Sequence, residues 1–144
     1  MSGTLYNTEI LRLAASIPHH VRLAAPHATA ERRSPICGSR VTVDVALGDD
    51  GRVAEVGLLV RACALGQASA SLLAQHILGR TPEELAQASD ALAAWLAKDG
   101  AAPDWPGLDV LAPTLDYPAR HASIRLAFEA AAEAAGAARM ASAA

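Results

Sequence analysis

The chain has 144 residues, of which 52% are apolar, 19% charged and only 3% aromatic, and its formal net charge is −3 at pH 7. That mix is too apolar for intrinsic disorder and too poor in rings for a base-stacking surface, and it lacks the basic field that nucleic acid or an anionic membrane surface requires. One domain with a real hydrophobic core is the expectation for this length, and 35 alanines favour helices that pack closely. No apolar run approaches the roughly 18 residues of a membrane span. Residues 1–5 lack the basic flank and apolar stretch of a leader, so a cytoplasmic location is expected.

Tyr6, Ile10, Leu13 and Ile17 recur at helical spacing, and Pro18-His19-His20 ends that first helix. A polar stretch over residues 26–35 reads as a connection leading to Cys37. Over residues 40–47, Val41, Val43, Val45 and Leu47 alternate with Thr42, Asp44 and Ala46, the pattern of a strand with one buried face. Gly48-Asp49-Asp50-Gly51 supplies a tight turn, and residues 53–60 return as the second strand of a hairpin. Val53 has the opposite parity to Val56, Leu58 and Val60, which predicts a bulge near Ala54-Glu55.

After Cys63, Leu65, Ala68, Leu72, Leu73 and Ile77 form one helical stripe, closed by Gly79. Thr81-Pro82-Glu83-Glu84 is a capping box with proline at the first helical position, opening a helix through Leu85, Leu92, Trp95 and Leu96. Pro103, Pro106 and Pro113 break residues 100–118 into loop and short turns. Tyr117-Pro118 then leads into a last helix bearing Ile124, Ala127, Phe128 and Ala131, with a frayed tail over residues 137–144. Helix, hairpin and then several helices make an α+β fold, a small antiparallel sheet packed against helices in a single domain spanning 1–144, because nothing alternates strand and helix as a parallel sheet requires.

Only two cysteines are present, and in a reducing compartment a structural disulfide is not expected, which leaves packing, metal binding or thiol chemistry. Cys37 sits in the proline- and glycine-bounded segment Ser34-Pro35-Ile36-Cys37-Gly38-Ser39 before the first predicted strand, and Cys63 lies between the second strand and a helix. A thiol at a helix N-terminus faces unpaired N–H groups, which favour the thiolate needed for metal binding or nucleophilic attack. The hairpin can bring Cys37 and Cys63 together at its open end, although spacing alone leaves open that both are small buried apolar residues. His19, His20, His27 and His76 read as surface or boundary residues. His121 lies at the start of the last helix, the remaining element end able to face the cysteines, and a first-turn polar role is equally open to it. Ala68-Ser69-Ala70-Ser71 reads as a close packing surface. No GxGxxG, P-loop, GxSxG or HExxH pattern is present, so dinucleotide, nucleotide, serine hydrolase and zincin readings have no motif support.

Pro35-Ile36-Cys37-Gly38, the hairpin, the run from Ala62-Cys63 to Ala70-Ser71, Gly79-Arg80-Thr81-Pro82-Glu83-Glu84 and Pro118-Ala119-Arg120 before a final helix together resemble the iron-sulfur cluster assembly scaffolds of the IscU/NifU/SufU type. The resemblance runs from about Ser34 to Ala132 and implies the SufE/IscU-like fold. It further implies an exposed site where three cysteines receive iron and sulfur, hold a nascent cluster and pass it to acceptor proteins, with an aspartate two positions after the first cysteine. Cys37 and Cys63 fall on the first two ligand positions, the aspartate position is Ser39, and the third cysteine position is Ser123. The histidine that often precedes that third cysteine falls on Ala122, with His121 one place earlier. A neutral serine hydroxyl is a poor ligand for soft iron, whereas imidazole and thiolate are good ones.

The expected ligand set is therefore Cys37, Cys63 and His121, with Ser39 and Ser123 as lesser candidates. The cargo implied is an iron-sulfur cluster of the 2Fe–2S kind, or iron, with zinc as the alternative. The partners implied are a cysteine desulfurase and acceptor proteins, with no nucleic acid and no membrane, and the oligomeric state is left open. The role is binding and transfer, not turnover of a substrate. The alternatives are a zinc-bearing SufU-like sulfur acceptor working with a cysteine desulfurase, and a metal-free interaction protein of the same fold.

Overall fold

The computed structural model describes residues 7–35 and 38–143. Helix α1 (Thr8–Ala15) is opened by Asn7, whose side chain accepts from the Ile10 N–H at 2.9 Å, and it buries Ile10 and Leu13. Tyr6, the first residue of the predicted helical stripe, lies outside the described residues. Three strands follow, β1 (Ala28–Arg33), β2 (Arg40–Leu47) and β3 (Val53–Arg61), paired antiparallel in the order β1-β2-β3. Then come α2 (Ala64–His76), α3 (Pro82–Leu96), 3-10 turns at Leu108–Asp116 and Pro118–Arg120, and α4 (His121–Ala143).

The hairpin forms as its alternation predicts. Ala46 faces Glu55 while Leu47 faces Val53, so Ala54 is the extra residue of a bulge, and the parity switch at Val53 is explained. Residues 26–35 are a correction, because an edge strand, β1, occupies most of what reads as a connection. It carries too little apolar alternation to announce itself, since only Ala30 among its six residues is buried. The charged residues Glu31, Arg32 and Arg33 are of the kind that guards an edge against pairing with another chain.

Val41, Val43, Val45 and Leu58 face the helices and are fully buried. Helix α4 packs along β1 and β2, with α3 and α2 packed on α4, and α1 packed on α2. The capping box of α3 is complete, Thr81 and Glu84 each accepting the other's backbone N–H. The proline-broken segment is tied down by Trp105, whose indole N–H donates to the Leu72 carbonyl at 2.9 Å while its ring meets Phe128 edge-on and lies under Arg80. Helix α4 does not end where the tail was expected to fray. It continues through Gly136 to Ala143, and Ala134, Ala135 and Ala138 are buried against the core.

The other face of the sheet is covered too. A Cβ on Gly57 would stand 2.4 Å from the Val21 carbonyl oxygen and 2.9 Å from the Leu23 nitrogen, so only glycine lets the segment over residues 19–23 cross β3 this closely. The Leu58 N–H donates to the His19 carbonyl. Asp44, fully buried, receives bonds from Arg22 Nε at 2.7 Å, Leu23 N at 2.9 Å and Thr29 Oγ1 at 2.6 Å, fastening the same segment. Among the described residues no helix is long and apolar enough to cross a membrane.

Candidate functional site

The end of the sheet where β1 closes, β2 opens and β3 closes is the end that carries Cys63. Beyond Arg61 the chain passes Ala62 and reaches Cys63, which is the N-cap residue of α2. Its thiol does not cap the helix. It is free and partly exposed, and its Sγ lies 3.4 Å from the Ser123 Oγ. Ser123, the third residue of α4, is buried and its Oγ also lies 3.1 Å from the Ser39 Oγ, itself buried just ahead of β2. The starts of β2, α2 and α4 thus converge on a row of one sulfur and two hydroxyls.

That convergence depends on how closely α2 approaches α4. A Cβ on Gly66 would lie 2.6 Å from the Ser123 Oγ, 2.7 Å from the Ala62 Cβ and 3.2 Å from the Ser123 carbonyl oxygen, so glycine is required there by close approach. One turn on, Ser69 Oγ donates to the Ile124 carbonyl at 2.6 Å, and Ser71 Oγ donates to the Ser16 carbonyl. The small-residue run of α2 is a packing surface, as its composition predicts, with its hydroxyls satisfied by neighbouring carbonyls.

Cys37 lies outside the described residues. The chain that flanks it is fastened, because the Ser34 N–H donates to the Ser39 carbonyl at 2.9 Å and the Gly38 N–H to the Ser34 carbonyl at 3.2 Å. His121 is held elsewhere. Its Nε2 lies 2.7 Å from the Thr114 carbonyl oxygen, and the ring borders a crevice with Leu96, Lys98, Asp116 and Pro118. At about 100° per residue, Ser123 sits roughly 200° around the helix from His121, so the two side chains leave α4 on opposite sides. The structure brings together Cys63, Ser39 and Ser123 and places the His121 ring against the turn at Thr114. Among the described residues no three His, Cys, Asp or Glu side chains group as a metal site.

Two further histidines have structural duties. His20 Nε2 accepts from the Val60 N–H and His27 Nδ1 from the Leu47 N–H. The alternation puts Asp44 on the strand face opposite the buried valines, and its burial there is a second correction. Burial pushes its carboxyl up, but the bonds from Arg22, Thr29 and the Leu23 N–H together outweigh that and hold it below the usual range. The available signal was Gly57, a glycine inside a strand, which marks close approach of other backbone to the outer face.

A three-stranded antiparallel sheet with helices on its inner face, and a free thiol at a helix start on one sheet end, defines a small α+β protein with an open thiol site. The family model described as the NifU-like N terminal domain matches residues 5–99, and the chain belongs to that family, within the IscU/NifU/SufU-type scaffolds. The chain is similar to the N-terminal part of a nitrogen-fixing NifU-like protein from Brucella abortus, at 39% identity and a TM-score of 0.89, over 94% of this chain and 95% of that one. It shares its fold with a protein assigned as an iron-sulfur cluster assembly scaffold for the SUF system from thermophilic Fervidobacterium islandicum AW-1. That likeness has 20% identity and a TM-score of 0.77, over 94% of this chain and 99% of the other. No curated protein matches the chain.

Proposed function

We propose that the protein is a scaffold or carrier that receives iron or a nascent iron-sulfur cluster as cargo and hands it to acceptor proteins, with Cys37 and Cys63 as its thiolate ligands. The observation that carries this reading is the free, partly exposed Cys63 thiol at the start of α2, in a chain of the NifU-like family. Thiolates are the preferred ligands of iron in clusters, and a loading site must stay open to a donor and an acceptor. His121, the expected third ligand, packs on the Thr114 carbonyl on the opposite side of α4 from Ser123, so it joins the thiolates only if the start of α4 rearranges on loading. Ser123 hydrogen-bonds with the sulfur and Ser39 with Ser123. The role is binding and transfer in the cytoplasm, alongside a cysteine desulfurase and acceptor proteins.

Anaerobic reconstitution with ferric iron and sulfide tests this. Wild-type protein is expected to develop the visible charge-transfer absorption of a 2Fe–2S centre, and the Cys37→Ala, Cys63→Ala double variant is expected to stay colourless. Faster bleaching by a chelator in His121→Ala reports the third ligand. Colourless wild type under these conditions overturns the reading.

The same partly exposed thiol favours a second reading, a zinc-bearing sulfur acceptor. There the Cys63 thiolate attacks the outer sulfur of a desulfurase persulfide and the desulfurase thiolate departs. Stoichiometric zinc in the purified protein, with persulfide labelling on Cys63, selects it over the first.

A further inference from the structure

Beside the thiol site, and unused by it, three arginines line up across the sheet. Arg33 ends β1, Arg40 begins β2 and Arg61 ends β3, and the register sets Arg33 opposite Arg40 and Arg40 opposite Arg61. Side chains directly opposite on antiparallel neighbours share a face, with Cβ atoms about 5 Å apart, and like charges so placed repel. Val41 points into the core, so its neighbour Arg40 and the whole row lie on the outer face with Thr42 and Asp44.

The neutralising charge is incomplete. Glu31 stands 2.7 Å from Arg33 Nε and 4.0 Å from Arg40 Nε, so one carboxylate serves two guanidiniums. Its carboxyl is held below the usual range by the hydrogen bond from Arg33, against the opposing effect of desolvation. Among the described residues Arg61, which is exposed, pairs with no carboxylate. A chain of net charge −3 with 12 basic residues therefore gathers three of them in one row. That row borders a surface cavity of about 610 Å³ completed by Ser34, Pro35 and Gly38. A cavity of this size lies in the range of small-ligand sites, about 300–1,000 Å³.

We propose that the arginine row is a binding site for a small polyanion, a di- or tricarboxylate or an oligophosphate, whose oxygens span neighbouring guanidiniums. Guanidinium forks match carboxylate and phosphate in two-point hydrogen bonds, and a planar, permanently charged group is suited to that recognition. A ligand of two or more negative charges relieves the repulsion between the strand ends, a gain that a monoanion delivers only in part. The volume favours a compact ligand over a length of polypeptide. Charge and register are independent of whether Cys63 binds metal.

Calorimetric titration at low ionic strength, on protein first passed over a chelating resin, tests the assignment with tricarballylate, pyrophosphate, acetate and a hexaglutamate peptide. Saturable binding of tricarballylate or pyrophosphate is expected, the stronger of the two identifying the carboxylate or phosphate class, with acetate far weaker. Losing one charge-assisted partner corresponds to about tenfold weaker binding. Arg61→Gln should show that loss and Arg40→Gln, Arg61→Gln a larger one, while Arg12→Gln on α1 and Cys63→Ala bind as wild type does. Thermal melts of the ligand-free arginine variants should equal or exceed wild type, because repulsion is removed. No saturable binding, affinity indifferent to Arg40 and Arg61, or binding of the peptide alone overturns the proposal. Loss of binding in Cys63→Ala would do so as well, by tracing the anion to the thiol site.

Discussion

Replacing Gly66 with alanine tests the close contact on which the thiol site is built. In an unconstrained helix interior the change stabilises by about 0.5–1 kcal/mol, because alanine restricts the unfolded chain. Here the new methyl meets the Ser123 Oγ at 2.6 Å, the Ala62 Cβ at 2.7 Å and the Ser123 carbonyl oxygen at 3.2 Å. Ser123 can turn its hydroxyl away only by leaving Cys63 and Ser39, while Ala62 has no rotamer and the carbonyl belongs to the backbone. Helix α2 must therefore move off α4 by several tenths of an ångström. Overpacking of this kind costs about 1–3 kcal/mol, more than the propensity gain, for a net loss of about 1–2 kcal/mol. With an unfolding entropy of about 2.1 cal/mol/K per residue, a far-UV circular dichroism melt should fall by about 3–7 °C. A Tm equal to or above wild type would refute the argument, since it would mean that α2 and α4 stand far enough apart to admit a methyl.

Asp44→Asn keeps the shape of the buried carboxylate but removes the charge that Arg22 pairs with, and because Arg22 is half-exposed the expected loss is about 2–3 kcal/mol at neutral pH, read by urea unfolding. The folded carboxyl has a lower pKa than the unfolded one, so its contribution is complete above about pH 4 and is lost as pH falls through the folded value. Wild type should therefore lose stability in acid more steeply than Asp44→Asn, and parallel pH profiles would contradict the assignment. Thr81→Ala removes the hydroxyl that accepts from the Glu84 N–H and should cost about 1 kcal/mol in the same assay; an unchanged midpoint would show that the cap contributes nothing. Ser123→Ala removes both contacts of the buried hydroxyl and should cost about 1–2 kcal/mol while quickening alkylation of Cys63, and an alkylation rate equal to wild type would show that Ser123 does not shield the sulfur.

What the sequence disclosed was local chemistry. The hairpin was legible because Val41, Val43 and Val45 repeat with period two and glycines bracket its turn. The start of α3 was legible because threonine, proline and glutamate satisfy the first N–H groups of a helix within four residues. Strand β1 was not, since an edge strand with one buried side chain owes its pairing to β2 and not to its own composition. The continuation of α4 past Gly136 was hidden for a related reason. Its buried contact is made by Ala138, in line with Ala134 and Ala135 before the glycine, and such small side chains give a weak periodic signal and owe their burial to what packs above them. Asp44 escaped because alternation reports one covered face, and here a loop over residues 19–23 covers the second.

The thiol site divides along the same line. Cys63 at the start of α2 followed from strand and helix signals alone, whereas its meeting with Ser123, 60 residues later, required the α2–α4 packing that Gly66 permits. A serine at that place looks, by ligand chemistry, like a lost donor to iron. The geometry gives it another competence. Each hydroxyl has one proton to donate and lone pairs to accept with, so the row from Ser39 to Ser123 to Cys63 can point its protons either way. With a protonated thiol, the sulfur can donate toward Ser123 and Ser123 toward Ser39. With a thiolate, the order reverses and Ser123 donates to the sulfur. Both charge states of the sulfur therefore keep the row satisfied without moving a heavy atom. A hydrogen bond donated to a thiolate favours the charged form, so Ser123 is placed to adjust the reactivity of the Cys63 sulfur.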